Sequence, residues 1–197
     1  MTGARRLSQA ISEGDGISIV ALVRDASSAS AAEGDGAEGL AVSAPIEGIR
    51  QATGLPILFR VDASPEAARD AGADACLIVV EEHDEEEHLE ELHTRATELG
   101  LEIVVDVHDE DSLAASLERI EPEIFLLSPR EADDDEDEIE RILDLLPDVP
   151  AGKLAIADLQ AATRDDVVSL ERAGVDAVLV GSPSIAHLVG GAPPPEV

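Results

Sequence analysis

The turn Gly181-Ser182 directly follows the apolar run DAVLV, where a buried strand would end and a short helix would begin. Free backbone N–H groups and the positive end of the helix dipole enable such a turn to bind a phosphate group. A glycine followed by a serine is equally typical of a plain connection between a strand and a helix. The turn therefore has two interpretations, a phosphate-binding site and a structural turn.

Charged side chains stand at the ends of other apolar runs, where parallel strands would bring them together. They are the guanidinium groups of Arg24 and Arg60 and the carboxylates of Asp106 and Asp158. An arginine at such a position can stabilise negative charge on a substrate. Buried arginines also need carboxylate partners whether or not they catalyse a reaction. The four residues are therefore candidates for internal ion pairs that need no substrate.

Short apolar runs alternate with amphipathic segments, a pattern that is typical of repeated βα units. The runs are rich in Val, Ile and Leu without strict alternation, as in a parallel sheet covered on both faces. They span residues 17–23, 39–44, 56–61, 74–80, 101–107, 122–128, 153–158 and 176–181. Eight such strands predict an α/β fold, a compact (βα)8 TIM barrel. A doubly wound open sheet is the competing architecture, although no glycine-rich dinucleotide motif follows the first run.

The segments between the runs carry helix signals, with one exception. Ser64 and Thr163 occupy N-cap positions, and Pro65 suits the first position of a helix. Residues 25–38 contain Ser, Gly and Ala but no apolar stripe. The first crossover helix is therefore predicted to be missing or reduced.

The length of 197 residues suits one sizeable core. We expect a single barrel domain at 16–190, an N-terminal segment at 1–15 and a flexible tail at 191–197. The apolar runs are far shorter than the ~20 residues that cross a bilayer, and the N-terminus lacks the apolar core of a signal peptide. We therefore expect a cytoplasmic protein without a membrane partner. Cys76, the only cysteine, cannot form an internal disulfide and is expected in the core.

The charge of the chain is strongly one-sided. Against 44 acidic residues stand 13 basic ones, of which only Lys153 is a lysine, and the formal net charge is −31. Repulsion at this density destabilises a compact state in dilute buffer, whereas molar salt shortens the Debye length to about 3 Å. The composition resembles that of cytoplasmic proteins from extreme halophiles. A mesophilic protein with one disordered acidic tail is the alternative, which the spread of the acids along the chain disfavours. Nucleic acid is disfavoured as a partner, because neutralising phosphates requires clustered Lys and Arg.

Two segments invite a metal hypothesis. His83, His88 and His93 are spaced five residues apart, which turns them about 140° from one another on a helix, so they do not converge. The acidic run at 131–138 lacks the spaced ligands and glycine of a calcium-binding loop. We expect a solvated helix face, a hydrated loop and no bound metal.

The ordered segments resemble the indole-3-glycerol phosphate synthase family of tryptophan biosynthesis. GLPILFRVDASPEAARDAGADACLIV, LGLEIVVDVHDEDSL and RDDVVSLERAGVDAVLVGSPS carry the resemblance, which extends over roughly residues 17–190. Arg60 stands where the family has a catalytic lysine in a Leu-Arg-Lys-Asp-Phe motif, and Asp62 replaces its phenylalanine. A guanidinium holds its proton too strongly to be a good general acid near neutral pH but can still stabilise negative charge.

Other family motifs are partly kept. On the first strand, the family's Glu and Lys correspond to Leu22 and Arg24, and a serine is kept as Ser27. The fifth-strand motif Glu-Val-His becomes Asp106, Val107 and His108.

The last three strands show the same mixture. Asn-Asn-Arg on the sixth strand becomes Ser128, Pro129 and Arg130, and Gln160 replaces a phosphate-binding glycine that follows the seventh. The resemblance thus implies Arg60, Asp106, Arg24 and Asp158 as catalytic residues, and Ser27, Ser128, Arg130, Gly181 and Ser182 as substrate and phosphate contacts.

Two functions follow from this comparison. The resemblance implies an enzyme, a carbon–carbon lyase that closes the pyrrole ring of 1-(2-carboxyphenylamino)-1-deoxyribulose 5-phosphate with loss of CO2 and water, without an organic cofactor. The replaced lysines and glutamate instead favour a non-catalytic relative that binds a small phosphorylated molecule or a protein partner of unknown identity. The sequence leaves both possibilities open.

Overall fold

A closed ring of eight parallel strands forms the centre of the molecule. The computed structural model describes residues 6–14, 16–61, 64–80, 86–128, 138–159, 161–181 and 185–189. The strands are β1 (Ser18–Leu22), β2 (Gly39–Val42), β3 (Ile57–Phe59), β4 (Ala75–Val79), β5 (Glu102–Val107), β6 (Ile124–Leu127), β7 (Leu154–Leu159) and β8 (Ala177–Val180). Because β8 also pairs with β1, the sheet has no edge. The predicted TIM barrel is confirmed, and the open-sheet alternative is wrong.

Helices alternate with the strands. They are α1 (Leu7–Ser12), α2 (Ala26–Gly34), α3 (Ile49–Ala52), α4 (Pro65–Asp70), α5 (Glu86–Glu98), α6 (Glu110–Arg119), α7 (Glu138–Leu145) and α8 (Arg164–Ala173), and a 3-10 turn at Leu146–Asp148 follows α7. The predicted N-caps are confirmed: Ser64 Oγ accepts from the N–H of Ala67 at 3.3 Å, and Thr163 Oγ1 accepts from that of Asp166 at 3.2 Å. In the described part of the chain, no helix is both long and apolar enough to cross a bilayer.

The first crossover contains a short helix, which decides one of the two predicted alternatives. Residues 26–34 form α2, so the alternative of a missing helix is wrong. The carboxylate of Asp25 accepts from the N–H of Ser28 at 2.7 Å, and the Ser28 hydroxyl accepts in return from the N–H of Asp25 at 3.2 Å. Only Ala29 and Ala32 are buried on this helix. A capping box and alanine, the residue with the highest helix propensity, thus support a helix that has no stripe of large apolar residues.

The strands bury two sets of side chains, an inner cluster inside the ring and an outer cluster beneath the helices. Val20, Leu58, Leu126, Ile156 and Leu179 belong to the inner cluster and are almost completely buried. Leu7 and Ile11 of α1 join this cluster, so α1 covers one end of the barrel. Cys76 lies in the outer cluster, as expected for a core residue. Because aliphatic side chains fill the axis, the barrel is a packed core and polar chemistry is confined to its ends.

Candidate active site

Three charged residues converge at the carboxyl end of the barrel. Arg60 follows β3, Asp106 lies near the end of β5 and Asp158 near the end of β7. Alternation along each strand places these side chains on the same inward face as Leu58, Val104 and Ile156, which belong to the inner cluster. Asp106 and Asp158 are 4% and 9% exposed. The three charged residues that the sequence analysis identified thus lie together at one end of the barrel axis.

An ion pair crosses this end of the barrel. Arg60 donates through Nη2 to Asp158 Oδ2. Since β3 and β7 lie four strands apart in a ring of eight, the pair joins opposite walls. The Arg60 side chain is 31% exposed and that of Asp158 10%. Arg60 Nε is buried and has no hydrogen-bond partner among the described residues.

Asp106 has a different partner. Its Oδ1 accepts from the hydroxyl of Ser128 at the end of β6. The ring of His108 approaches the same serine, with Nδ1 2.7 Å from the backbone oxygen of Ser128 and 3.8 Å from Asp106 Oδ1. A carbonyl oxygen can only accept, so Nδ1 carries the proton that is donated to it. Ser128 thus links the ends of β5 and β6 and orients the carboxylate.

The role of His108 was missed from the sequence, although a signal was present. His108 stands two residues after Asp106, and the period of two along a strand predicts that both side chains face the same side. Its side chain is 9% exposed. We therefore add His108 to the candidate site as a group that orients the Ser128 backbone.

One predicted phosphate contact, Gly181, lies at a neighbouring pocket together with Arg24, which was predicted as a catalytic residue. Arg24, Ser28 and Gly181 line a pocket of about 450 Å³. Because the outward-facing residues Ala21 and Val23 also line it, this pocket lies between the barrel wall and α2, beside the axis. Arg24 is exposed and makes no ion pair with any other described residue, so it does not join Asp106.

The other predicted site residues lie either on α2 or outside the described part of the chain. Ser27 is exposed in the first turn of α2. Arg130 and Ser182 lie outside the described residues, as do Asp62 and Gln160. The positions of Arg130 and Ser182 in the site therefore stay predictions.

The candidate metal ligands do not assemble in the described ranges. No group of three His, Cys, Asp or Glu side chains there is arranged to hold a metal ion. His88 is exposed on α5, whereas His83 and residues 131–137 fall outside those ranges.

The fold and this rim define a TIM barrel with charged groups at its carboxyl-terminal end, where enzymes of this fold carry their active sites. The model of the indole-3-glycerol phosphate synthase family matches residues 49–187, and the chain belongs to this family. The match includes Arg60, Asp106 and Asp158, whereas Arg24 and Ser27 precede it.

Individual relatives agree with this membership. The indole-3-glycerol phosphate synthase of Variovorax paradoxus is 35% identical over 136 residues, which cover 67% of this chain and 50% of the relative. That of Halalkalibacterium halodurans is 32% identical over 159 residues, 74% of this chain and 61% of the relative. The chain thus spans about half to three-fifths of the length of the curated relatives it matches.

Solved structures support the fold alone. The N-acetylmannosamine-6-phosphate 2-epimerase of Clostridium perfringens superposes with a TM-score of 0.67 at 12% identity, over 86% of this chain and 87% of that one. At this identity the likeness carries no information on the reaction.

Proposed function

We propose that the protein acts in tryptophan biosynthesis as an indole-3-glycerol phosphate synthase-like enzyme with an altered active site. It would close the pyrrole ring of 1-(2-carboxyphenylamino)-1-deoxyribulose 5-phosphate and release CO2 and water. The observation that carries the proposal is the convergence of Arg60, Asp106 and Asp158 at the carboxyl end of the barrel in a member of this family.

Each group has a role in this proposal. Arg60 stabilises negative charge on the substrate electrostatically, because a guanidinium carries a permanent charge in proteins. Asp106, oriented by Ser128, is available as a proton acceptor near the axis. Gly181, Ser182 and Ser27 are the proposed phosphate contacts, with Arg24 and Arg130 as additional cations.

The test is an assay of indole fluorescence with purified protein in molar KCl, on the ribulose phosphate substrate. Product formation by the wild type that is lost in Arg60→Ala supports the proposal. The exposed Arg69 of α4 provides a matched control, because Arg69→Ala removes the same charge far from the rim. Absence of product at high protein concentration rejects turnover.

A non-catalytic barrel is the second candidate, and the Arg60–Asp158 ion pair favours it. The cation that replaces the family's lysine is held by a carboxylate, and Leu22 stands where the family has a glutamate. Such a barrel would bind a small anion, or a protein partner, without converting it. Calorimetric titration with a substrate analogue separates this candidate from an inert barrel, since only an anion-binding rim would give heat.

The proposal also concerns partners and location. We infer a small phosphorylated ligand rather than nucleic acid, because the net charge of −31 repels a polyanion. A cytoplasmic location belongs to the same proposal. So does the division into a barrel at 16–190 with short segments on either side.

A further inference from the structure

We propose that Asp158 is an internal competitor for the ligand and that an oxyanion binds at the barrel mouth by replacing the Asp158 carboxylate on Arg60. This inference rests on the proposed function in one respect, that the same rim is the ligand site. It does not require turnover.

The position of the ion pair is the first argument. Arg60 and Asp158 project from opposite strands, so their contact crosses the mouth instead of running along the wall. Beneath it, Leu58, Ile156 and Leu179 are 0%, 0% and 1% exposed and fill the axis. Among the described residues of the axis, the ion pair therefore lies nearer the carboxyl end than this aliphatic core.

The second argument is the state of the guanidinium. Arg60 has five N–H donors in a planar fork that suits two oxygen atoms of a carboxylate or phosphate. Only Nη2 contacts Asp158 among the described residues, and the buried Nε has no hydrogen-bond partner there. A ligand with two oxyanion oxygens can accept hydrogen bonds from Nε and Nη2 together. The observed contact with Asp158 involves Nη2 but not Nε.

The third argument is the unequal accessibility of the two partners. Arg60 retains 31% of its side-chain exposure and can be reached from solvent, whereas Asp158 retains 10%. The other carboxylate of the rim, Asp106, accepts a hydrogen bond from Ser128. Removing the Asp158 carboxylate therefore frees the Nη2 donor of Arg60 that the ion pair occupies.

A phosphate titration of folded, full-length protein tests the proposal. Calorimetry measures the dissociation constant of inorganic phosphate for the wild type and for Asp158→Asn in KCl at one fixed ionic strength. We expect Asp158→Asn to bind phosphate about tenfold more tightly or better, because a competing charge at contact distance has been removed. Adding Arg60→Gln should return the affinity to the wild-type level or below, which assigns the gain to Arg60.

Glu118→Gln is the matched control, because it removes one negative charge from an exposed position on α6. It should change the phosphate affinity less than about twofold, as expected for a distant charge screened by salt. An Asp158→Asn protein that binds phosphate no more tightly than the wild type, or gives no heat, overturns the proposal. Should this variant be unfolded by circular dichroism, Asp158→Ser is titrated instead, and failure of both to fold assigns the pair to the fold and overturns it.

The outcome is independent of the assay for product. If Asp158→Asn binds phosphate more tightly but no variant forms product, Asp158 is an internal competitor and the proposed turnover is rejected. If the wild type forms product but Asp158→Asn does not bind phosphate more tightly, the proposed enzyme activity is supported and competition by Asp158 is rejected.

Discussion

Glu102, the first residue of β5, caps the first turn of α1 at the amino-terminal end of the barrel, although the two are 95 positions apart in the sequence. Its Oε2 accepts from the N–H of Leu7 at 2.5 Å and from that of Ser8 at 3.3 Å, and its Oε1 accepts from the Ser8 hydroxyl. Glu102 is 8% exposed. The buried carboxylate of Glu102 thus holds α1 in place by hydrogen bonds. This helix covers the end of the barrel opposite the Arg60–Asp158 pair.

Glu102→Gln should destabilise the fold by about 1–3 kcal/mol, the range for hydrogen bonds to a charged group and for buried donors left without a partner. The amide keeps one acceptor oxygen but places an NH2 group among donors. Urea unfolding at fixed salt, followed by circular dichroism, measures the change in the free energy of unfolding. Glu118→Gln is the control and should lie within about 0.5 kcal/mol of the wild type; an equal result for both variants would contradict the role of Glu102.

Arg50 stabilises the shortest crossover of the barrel. In α3, its Nε donates to the carbonyl of Gly72 at 2.6 Å, one Nη to that of Leu55 at 3.0 Å, and the other to Asp74. Arg50→Lys keeps the charge but loses the planar fork, so we expect a loss of about 1–3 kcal/mol in the free energy of unfolding. Arg69→Lys, on an exposed position, should change little in the same urea experiment. Similar losses in the two variants would show that Arg50 is not specifically required.

The barrel was predictable because its strands are continuous apolar runs. Runs such as DACLIVV and LEIVVDV have no polar face, which indicates burial on both sides, and glycines such as Gly174 end helices in the left-handed conformation, here with φ of 102°. A complete helix α2 was not predicted, because its buried face consists of Ala29 and Ala32 and has no large apolar residues.

The site was only partly predictable. The positions of Arg60, Asp106 and Asp158 at the ends of apolar runs predicted that they meet at one end of the barrel, but the sequence does not specify which carboxylate meets which cation. That choice depends on distances across the ring and on Ser128, which holds Asp106 from a neighbouring strand. The capping of α1 by Glu102 spans 95 positions of sequence and leaves no local signal.

Asp109 should make stability depend on pH in acid. The backbone N–H of Ser112 donates to its carboxylate at 2.7 Å and lowers the pKa of Asp109 in the folded protein. A lowered folded-state pKa means that this contribution is complete above the unfolded value of about 3.9 and is lost as pH falls through the lower folded value. The free energy of unfolding, compared between wild type and Asp109→Asn, should therefore favour the wild type less as pH falls from about 5 to about 3. A difference that stays constant over this interval would contradict the assignment.

Salt should control folding. With a formal net charge of −31, the protein is expected to lose its fold in millimolar buffer and to regain it in molar KCl, because salt shortens the range of repulsion to about 3 Å. Circular dichroism over a KCl series measures the transition, and repetition in sucrose at low ionic strength separates screening from general stabilisation. An unchanged spectrum across the series would remove the argument for a halophilic protein.

Arg60→Lys is the decisive substitution for catalysis, because it restores the residue type of the family at the third strand. An ammonium, unlike a guanidinium, can act as a general acid in proteins, because desolvation lowers its pKa, while the neighbouring Asp158 carboxylate acts in the opposite direction. If the guanidinium limits the reaction, kcat should rise by about 10²- to 10⁴-fold, the usual contribution of general acid catalysis. Indole fluorescence at saturating substrate measures the rate, and Arg69→Lys, which makes the same exchange on exposed α4, should leave it unchanged. A folded Arg60→Lys protein with no gain in rate would place the limit elsewhere in the site and favour the non-catalytic barrel.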